Sequence, residues 1–185
     1  MRPDAIVPTI FATMNAGPVI TVKDLKKSYA SFEAVKGISF DVFEREIFGL
    51  LGPNGAGKTT AMKMLIGISN PTSGNATIAG FDIYKQTEQI KKSIGYMSQK
   101  FSLYEDLTIK ENIQLFGGIY GLSDKEIKSK SEELINKLGL NNEADKLVAS
   151  LPLGWKQKLA FSIAIFHQPK IVFLDEPTGG VDPIT

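Results

Sequence analysis

The sequence has 185 residues, 21 basic and 20 acidic side chains, a net charge of +1 and no cysteine. That length supports one domain, with room for an inserted lobe. The balanced charge excludes the basic footprint of a nucleic-acid binder. The lack of cysteine excludes disulfides and thiolate metal sites and fits a reducing compartment. No stretch approaches the ~20 apolar residues of a membrane helix.

In chain order, residues 1–17 read as a flexible extension, interrupted by Pro3 and Pro8 and closed by Gly17-Pro18. A single Arg2, Asp4 and the two prolines argue against a signal peptide. Residues 19–22 and 35–43 read as strands. The polar run between them, residues 26–32, reads as a turn. Tyr29 within it is either an ordinary half-buried tyrosine or a surface on which a purine base could stack.

The most informative stretch is Gly52-Pro53-Asn54-Gly55-Ala56-Gly57-Lys58-Thr59. It follows an apolar strand-like run, residues 47–51, and opens a helix-like run, residues 60–68, that begins with Thr60. Strand, glycine-rich loop and helix with the spacing G-x-x-x-x-G-K-[ST] form a phosphate-binding loop. The glycines let several backbone N–H groups point at one phosphate chain. The helix that follows aims its positive dipole end at the same anion. Lys58 supplies a point charge for the β- and γ-phosphates, and the Thr59 hydroxyl suits Mg²⁺. With average composition, the bare pattern arises by chance at about 3 positions in 100,000. An ordinary glycine-rich turn is therefore the weaker reading.

Along the next helix, Met64, Leu65 and Ile68 fall on one face and read as core. Residues 70–74 form a turn, 76–79 a short strand, 85–93 a helix and 94–97 another strand. Ser98-Gln99 sits at its end, where ligand contacts collect in open α/β sheets. Residues 105–150 change character. Thr108-Ile109-Lys110-Glu111 and Ser123-Asp124-Lys125-Glu126 both fit the capping box at a helix start. Leu134, Ile135 and Leu138 make an apolar stripe, and the charges of 125–133 read as a solvated face. The region reads as a helical lobe inserted into the α/β core. A helix over residues 155–167 follows, with Leu159, Ile163 and Phe166 facing inward and His167 at its end.

Residues 171–174 read as a strand buried on both faces, with Asp175 and Glu176 at its tip and Pro177 ending it. Carboxylates there are costly unless something positive meets them. Beside a phosphate loop, Asp175 suits Mg²⁺ and Glu176 suits the general base for an attacking water. An exposed turn is the bland alternative.

These residues together resemble the nucleotide-binding domain of ABC ATPases, and among them the exporter subunits that serve a separate membrane domain. Residues 52–59 match the family's Walker A motif, and residues 171–175 followed by Glu176 match Walker B. Ile94-Gly95-Tyr96-Met97-Ser98-Gln99 is similar to the Q-loop, whose glutamine touches Mg²⁺ and the attacking water. Tyr29 matches the aromatic that stacks on adenine, and residues 179–182, with Asp182, resemble the D-loop at a dimer interface. The resemblance covers residues 19–185. It implies an α/β P-loop NTPase (RecA-like) core with an antiparallel β subdomain and a helical subdomain over about residues 100–160.

Two departures stand out. The family usually writes its signature Leu-Ser-Gly-Gly-Gln, and the aligned residues are Leu151-Pro152-Leu153-Gly154-Trp155. The family's serine contacts the γ-phosphate held by the opposite subunit. Pro152 has neither hydroxyl nor N–H, and Leu153 adds bulk where glycine allowed close approach. The chain also stops at Thr185, before the family's switch histidine, so a C-terminally truncated domain is expected. His167 precedes Walker B and is not that switch.

The resemblance implies an ATP-hydrolysing subunit that binds ATP and Mg²⁺ at the cytoplasmic face of the cell membrane. A membrane-spanning permease would be one partner and a second ATP-binding domain, head to tail, the other, with no nucleic acid. The alternative is a hydrolysis-poor ATP-binding regulatory or scaffolding module. A small-molecule P-loop kinase fits poorly, because its mobile lids carry arginine and only Arg2 and Arg45 occur here.

Overall fold

The protein is described by a computed structural model that covers residues 7–9, 17–99 and 103–176. The chain divides into two compact units, Met1–Ser93 and Ile94–Thr185. The first unit runs β1 (Val7–Thr9), β2 (Ile20–Tyr29), β3 (Phe32–Val42), β4 (Gly49–Leu51), α1 (Lys58–Leu65), β5 (Ser73–Ile78), β6 (Phe81–Asp82) and α2 (Thr87–Ser93). Its main sheet is antiparallel, in the order β3-β2-β5-β6. Ile20, Val22 and Leu25 of β2 are buried, as are Ala76 and Ile78 of β5 and Met64 and Leu65 of α1.

Residues 26–32 differ from their expected turn. β2 continues to Tyr29, and the chain reverses through Ala30 and Ser31, with Ala30 at φ 49°. Lys26, Lys27 and Ser28 are half-buried along a strand whose backbone groups complete the ladder with β3. The register shifts by one between Lys27 and Ser28, which pair with Val35 and Glu33 and leave Ala34 as the extra residue of a bulge. Ile68, expected in the core, is 62% exposed. The helix ends at Leu65, so Ile68 no longer follows its 3.6-residue period. Within the segment read as an extension, β1 pairs antiparallel with β4.

The second unit contains β7 (Ile94–Met97), α3 (Ile109–Ile119), α4 (Asp124–Leu138), a 3-10 turn (Val148–Ser150), α5 (Leu153–Ala164) and β8 (Ile171–Leu174). Both capping boxes form. Glu111 N donates to Thr108 Oγ1 at 3.1 Å while Thr108 N donates to Glu111 Oε2 at 2.8 Å. Ser123 and Glu126 repeat the pattern. The three helices bury Ile109, Ile113, Ile135, Leu159, Ile163 and Phe166 in one cluster. Asn112 is fully buried and satisfied: its Oδ1 accepts from Tyr104 N at 2.9 Å, and its Nδ2 donates to Tyr104 O and Thr108 O. It pins the segment before α3. β7 and β8 pair in parallel, Met97 opposite Leu174. β8 is not buried on both faces as expected. Phe173 is buried while Val172 is 39% exposed, and Leu174 packs against the small cluster of Met97, Ala160 and Ala164.

His167 closes the turn after α5. Its ring stacks on Tyr120, with centroids 3.8 Å apart. Nε2 lies 3.0 Å from Ile94 O; a carbonyl only accepts, so this nitrogen carries the proton. Nδ1 is buried and has no partner among the described residues. Burial, and to a lesser extent the charge of Lys130, pull the imidazole below its ordinary value, against the upward pull of the Ile94 hydrogen bond. Hydrogen bonds from Thr108 and Ser123 likewise hold Glu111 and Glu126 below the usual carboxylate value.

Acid is therefore expected to weaken the fold in two steps. The folded form resists protonation of His167, so its contribution is complete above pH 6.5 and is lost as pH falls below it. Glu111 and Glu126 lose theirs only below 4.5. Urea unfolding at about pH 7.5, 5.5 and 3.5 is expected to show both losses. His167→Gln, which gains no proton, is expected to remove the first alone.

Candidate functional site

The phosphate loop of the first unit is built by two left-handed residues, Gly55 at φ 83° and Gly57 at φ 86°. Ala56 N closes the turn onto Pro53 O at 3.2 Å. Gly57 is also the N-cap of α1 and gives it no side-chain cap, so the positive end of the helix dipole opens onto the loop. A Cβ at Gly57 would collide with Ala34 O, the carbonyl at the β3 bulge. The Lys58 ammonium donates to Gly52 O at 2.7 Å and Pro53 O at 2.9 Å, so it sits over the loop itself. Gly52, Pro53, Asn54 and Gly55 are exposed; Ala56, Gly57, Lys58, Thr59 and Thr60 are half-buried. A glycine-built loop at a helix N-terminus, with a lysine folded over its carbonyls, is an arrangement whose chemistry suits an anion.

Tyr29 ends β2 with its ring 52% exposed. Opposite it in the ladder stands Phe32, 63% exposed. Phe32 lines a cavity of about 460 Å³ that extends along β3 to Gly55 and Ala56 of the phosphate loop. Sequence reasoning passed over Phe32. The signal was an aromatic three residues after Tyr29, legible only once the two-residue reversal between them is known.

In the second unit, Asp175 is buried at 4% exposure, and its N–H continues the parallel ladder to Met97 O at 2.9 Å. The same register brings Gln99 beside Glu176: Gln99 Nε2 donates to Glu176 Oε2 at 2.7 Å. Glu176 holds φ 52°, an unusual left-handed conformation of the kind found at strained functional sites. Tyr96 lies near this end; burial, then the Asp175 charge, push its phenol above the ordinary value. Among the described residues no cluster of three or more His, Cys, Asp or Glu could cage a metal. Within this unit the oxygen donors, the Asp175 carboxylate and the Gln99 amide, are of the type that suits a hard cation.

A protein-family model described as ABC transporter matches residues 35–179. The chain belongs to the ABC transporter family. It is 46% identical over 167 residues to the Escherichia coli K12 protein named "Probable multidrug ABC transporter ATP-binding protein YbhF", covering 90% of this chain and 29% of that one. It is 39% identical to the linearmycin resistance ATP-binding protein LnrL of Bacillus subtilis, covering 89% of this chain and 53% of that one. The chain thus spans under a third of the one relative and about half of the other. A solved ATP-binding subunit of an ABC transporter superposes with TM-score 0.74 at 28% identity, covering 89% of this chain and 69% of that one. The structure of cbiO1 from Clostridium perfringens, part of the ABC transporter complex cbiONQ, gives 0.73 at 26% identity, covering 91% and 69%. The fold is the P-loop NTPase fold of ABC ATP-binding domains.

In this ABC domain the altered signature opens α5. Pro152 is its N-cap and offers no side-chain bond; Trp155 N and Lys156 N both donate to its carbonyl. Leu151 is buried, whereas Pro152, Leu153 and Gly154 are exposed. Lys158 lies over the Trp155 ring at 4.9 Å, and Lys156 pairs with Glu105 at 2.6 Å. Asp182 and the rest of residues 179–182 lie outside the described residues.

Gly57→Ala is expected to cost about 1–3 kcal/mol in chemical denaturation, through its positive φ and the Ala34 carbonyl. Asn54→Ala, on the exposed part of the same loop, is expected to change stability by less than ~0.5 kcal/mol.

Proposed function

We propose that this chain is the ATP-binding and ATP-hydrolysing domain of an exporter-type ABC transporter. It works at the cytoplasmic face of the cell membrane with a membrane-spanning permease and pairs head to tail with a second ATP-binding domain. The observation that carries this reading is the glycine loop, with Gly57 left-handed at the N-terminus of α1 and Lys58 poised over the loop carbonyls. Among the described residues no helix is long and apolar enough to cross a membrane, which suits a domain that drives a separate span. The multidrug and resistance names of the relatives support export.

In this reading Lys58 exchanges the Gly52 and Pro53 carbonyls for β- and γ-phosphate oxygens. Backbone N–H groups of residues 52–60 cradle the phosphates, and Tyr29 stacks on the base. Thr59, Asp175 and Gln99 are the residues that would serve Mg²⁺, which would supply positive charge to the phosphate oxygens. Gln99 and Glu176 orient the attacking water. Glu176 accepts its proton as the water oxygen bonds to the γ-phosphorus and the bond to the ADP oxygen breaks. Paired domains close on ATP and reopen after hydrolysis, which gates the permease.

Thermal unfolding of this chain with Mg-ATP tests the reading. Ligand at about 100 times its dissociation constant adds ~2.7 kcal/mol to the folded state, so a clear upward shift is expected, and Lys58→Ala is expected to abolish it. Equal shifts in both proteins would contradict a working phosphate loop. In the full transporter, Glu176→Gln is expected to lower turnover by roughly 100-fold or more while ATP still binds.

One observation favours a second reading, a hydrolysis-poor ATP-binding module: Pro152 gives α5 no hydroxyl cap where the family places a serine. The double variant Pro152→Ser/Leu153→Gly separates the two. A marked rise in turnover supports the poor-hydrolysis reading, and unchanged turnover means that the remaining N–H groups suffice.

A further inference from the structure

The first unit holds a contact that the reading above leaves unused. Lys27 and Tyr29 stand two apart at the end of β2 and so project to the same side of the strand. The Lys27 ammonium lies 4.9 Å from the Tyr29 ring centroid. Its Nζ also donates to Asn70 O at 2.7 Å. Asn70 belongs to the turn that follows α1, and that turn is itself fixed to β2: Thr72 N donates to Lys26 O at 2.8 Å, and Ser28 N donates to Thr72 Oγ1 at 2.9 Å. A chain of short contacts therefore runs from the helix that carries the phosphate loop, through the turn, to Lys27 and the aromatic ring.

We propose that Lys27 is a positioning residue for the base of a nucleoside triphosphate: anchored on Asn70, it covers one face of the Tyr29 ring and holds the opposite face as the stacking platform. The proposal deepens the nucleotide reading and rests on the role given there to Tyr29. A cation over one face draws on the ring's negative quadrupole and removes the freedom of ring and lysine before ligand arrives. Less ordering then remains when the base stacks. Because Lys27 acts through the aromatic ring, its effect belongs to the base and not to the phosphates.

Paired titrations of the full chain with Mg-ATP and with Mg-tripolyphosphate, which has the phosphates and no base, test this. Lys27→Met keeps the apolar stem and drops the charge. It is expected to weaken Mg-ATP binding roughly three-fold, the size of an exposed cation–π contact, and to leave tripolyphosphate binding unchanged. Tyr29→Leu is expected to weaken Mg-ATP more, and Lys27→Met on that background to add nothing. Lys27→Arg, which keeps charge and reach, is expected to restore the preference for ATP. If Lys27→Met weakens both ligands equally, the lysine acts on the phosphates and the proposal is overturned. It is also overturned if Lys27→Met changes neither while Tyr29→Leu still weakens ATP. If Tyr29→Leu itself leaves ATP binding intact, the stacking role of Tyr29 falls and takes the proposal with it. Should Lys27→Met unfold, Lys27→Gln and Lys27→Arg provide the same comparison, and equal ATP preference in those two would overturn it.

Discussion

A helix can begin at Lys58 only because the residue before it turns through the left-handed region, with the Ala34 carbonyl against its α-carbon. That constraint selects glycine at position 57 twice over, by φ and by space. It also explains a feature of β3 with no other use in the sheet. The register slip that makes Ala34 the extra residue sits where β3 backs the loop, and bulges commonly re-aim backbone beside sites. The loop is therefore shaped from outside as well as by its own sequence. With no side-chain cap at Gly57, the positive end of the α1 dipole opens onto the loop.

The second unit reaches a comparable result by different means. Parallel pairing of β7 with β8 in a fixed register makes Gln99 and Glu176 neighbours, although they are 77 positions apart in sequence. A slip of one residue would set Gln99 against a different side chain and turn the strand tip over. Asp175, one residue earlier, is buried while Glu176 is exposed; the chain leaves β8 after Leu174 and turns through a left-handed φ at Glu176, which gives two adjacent acids opposite environments.

The sequence was most legible where a rule acts over a few residues. The phosphate loop, both capping boxes and the inward positions Leu159, Ile163 and Phe166 could be read because each depends on near neighbours or on a helical period. Residues 26–32 look like a turn because half-buried lysines and a serine give no apolar alternation until β3 is known to lie alongside. Val172 was expected inside because four apolar residues suggest a strand covered on both sides, yet the packing of one side is a tertiary fact. Contacts such as Lys27 with Asn70 span 43 positions and leave no local trace. The altered signature was legible as a departure, since Pro152 is visible in the sequence, but its effect on turnover is a matter of energies at an interface.

The central claim is that the loop at residues 52–59 is a phosphate site held ready by Lys58. A crystal structure of this chain with Mg²⁺ and a non-hydrolysable ATP analogue tests it most directly. Lys58 Nζ is expected to leave Gly52 O and Pro53 O for phosphate oxygens, with the loop N–H groups around the phosphates and the base on the Tyr29 ring. An analogue bound elsewhere, with Lys58 still on both carbonyls, would contradict it.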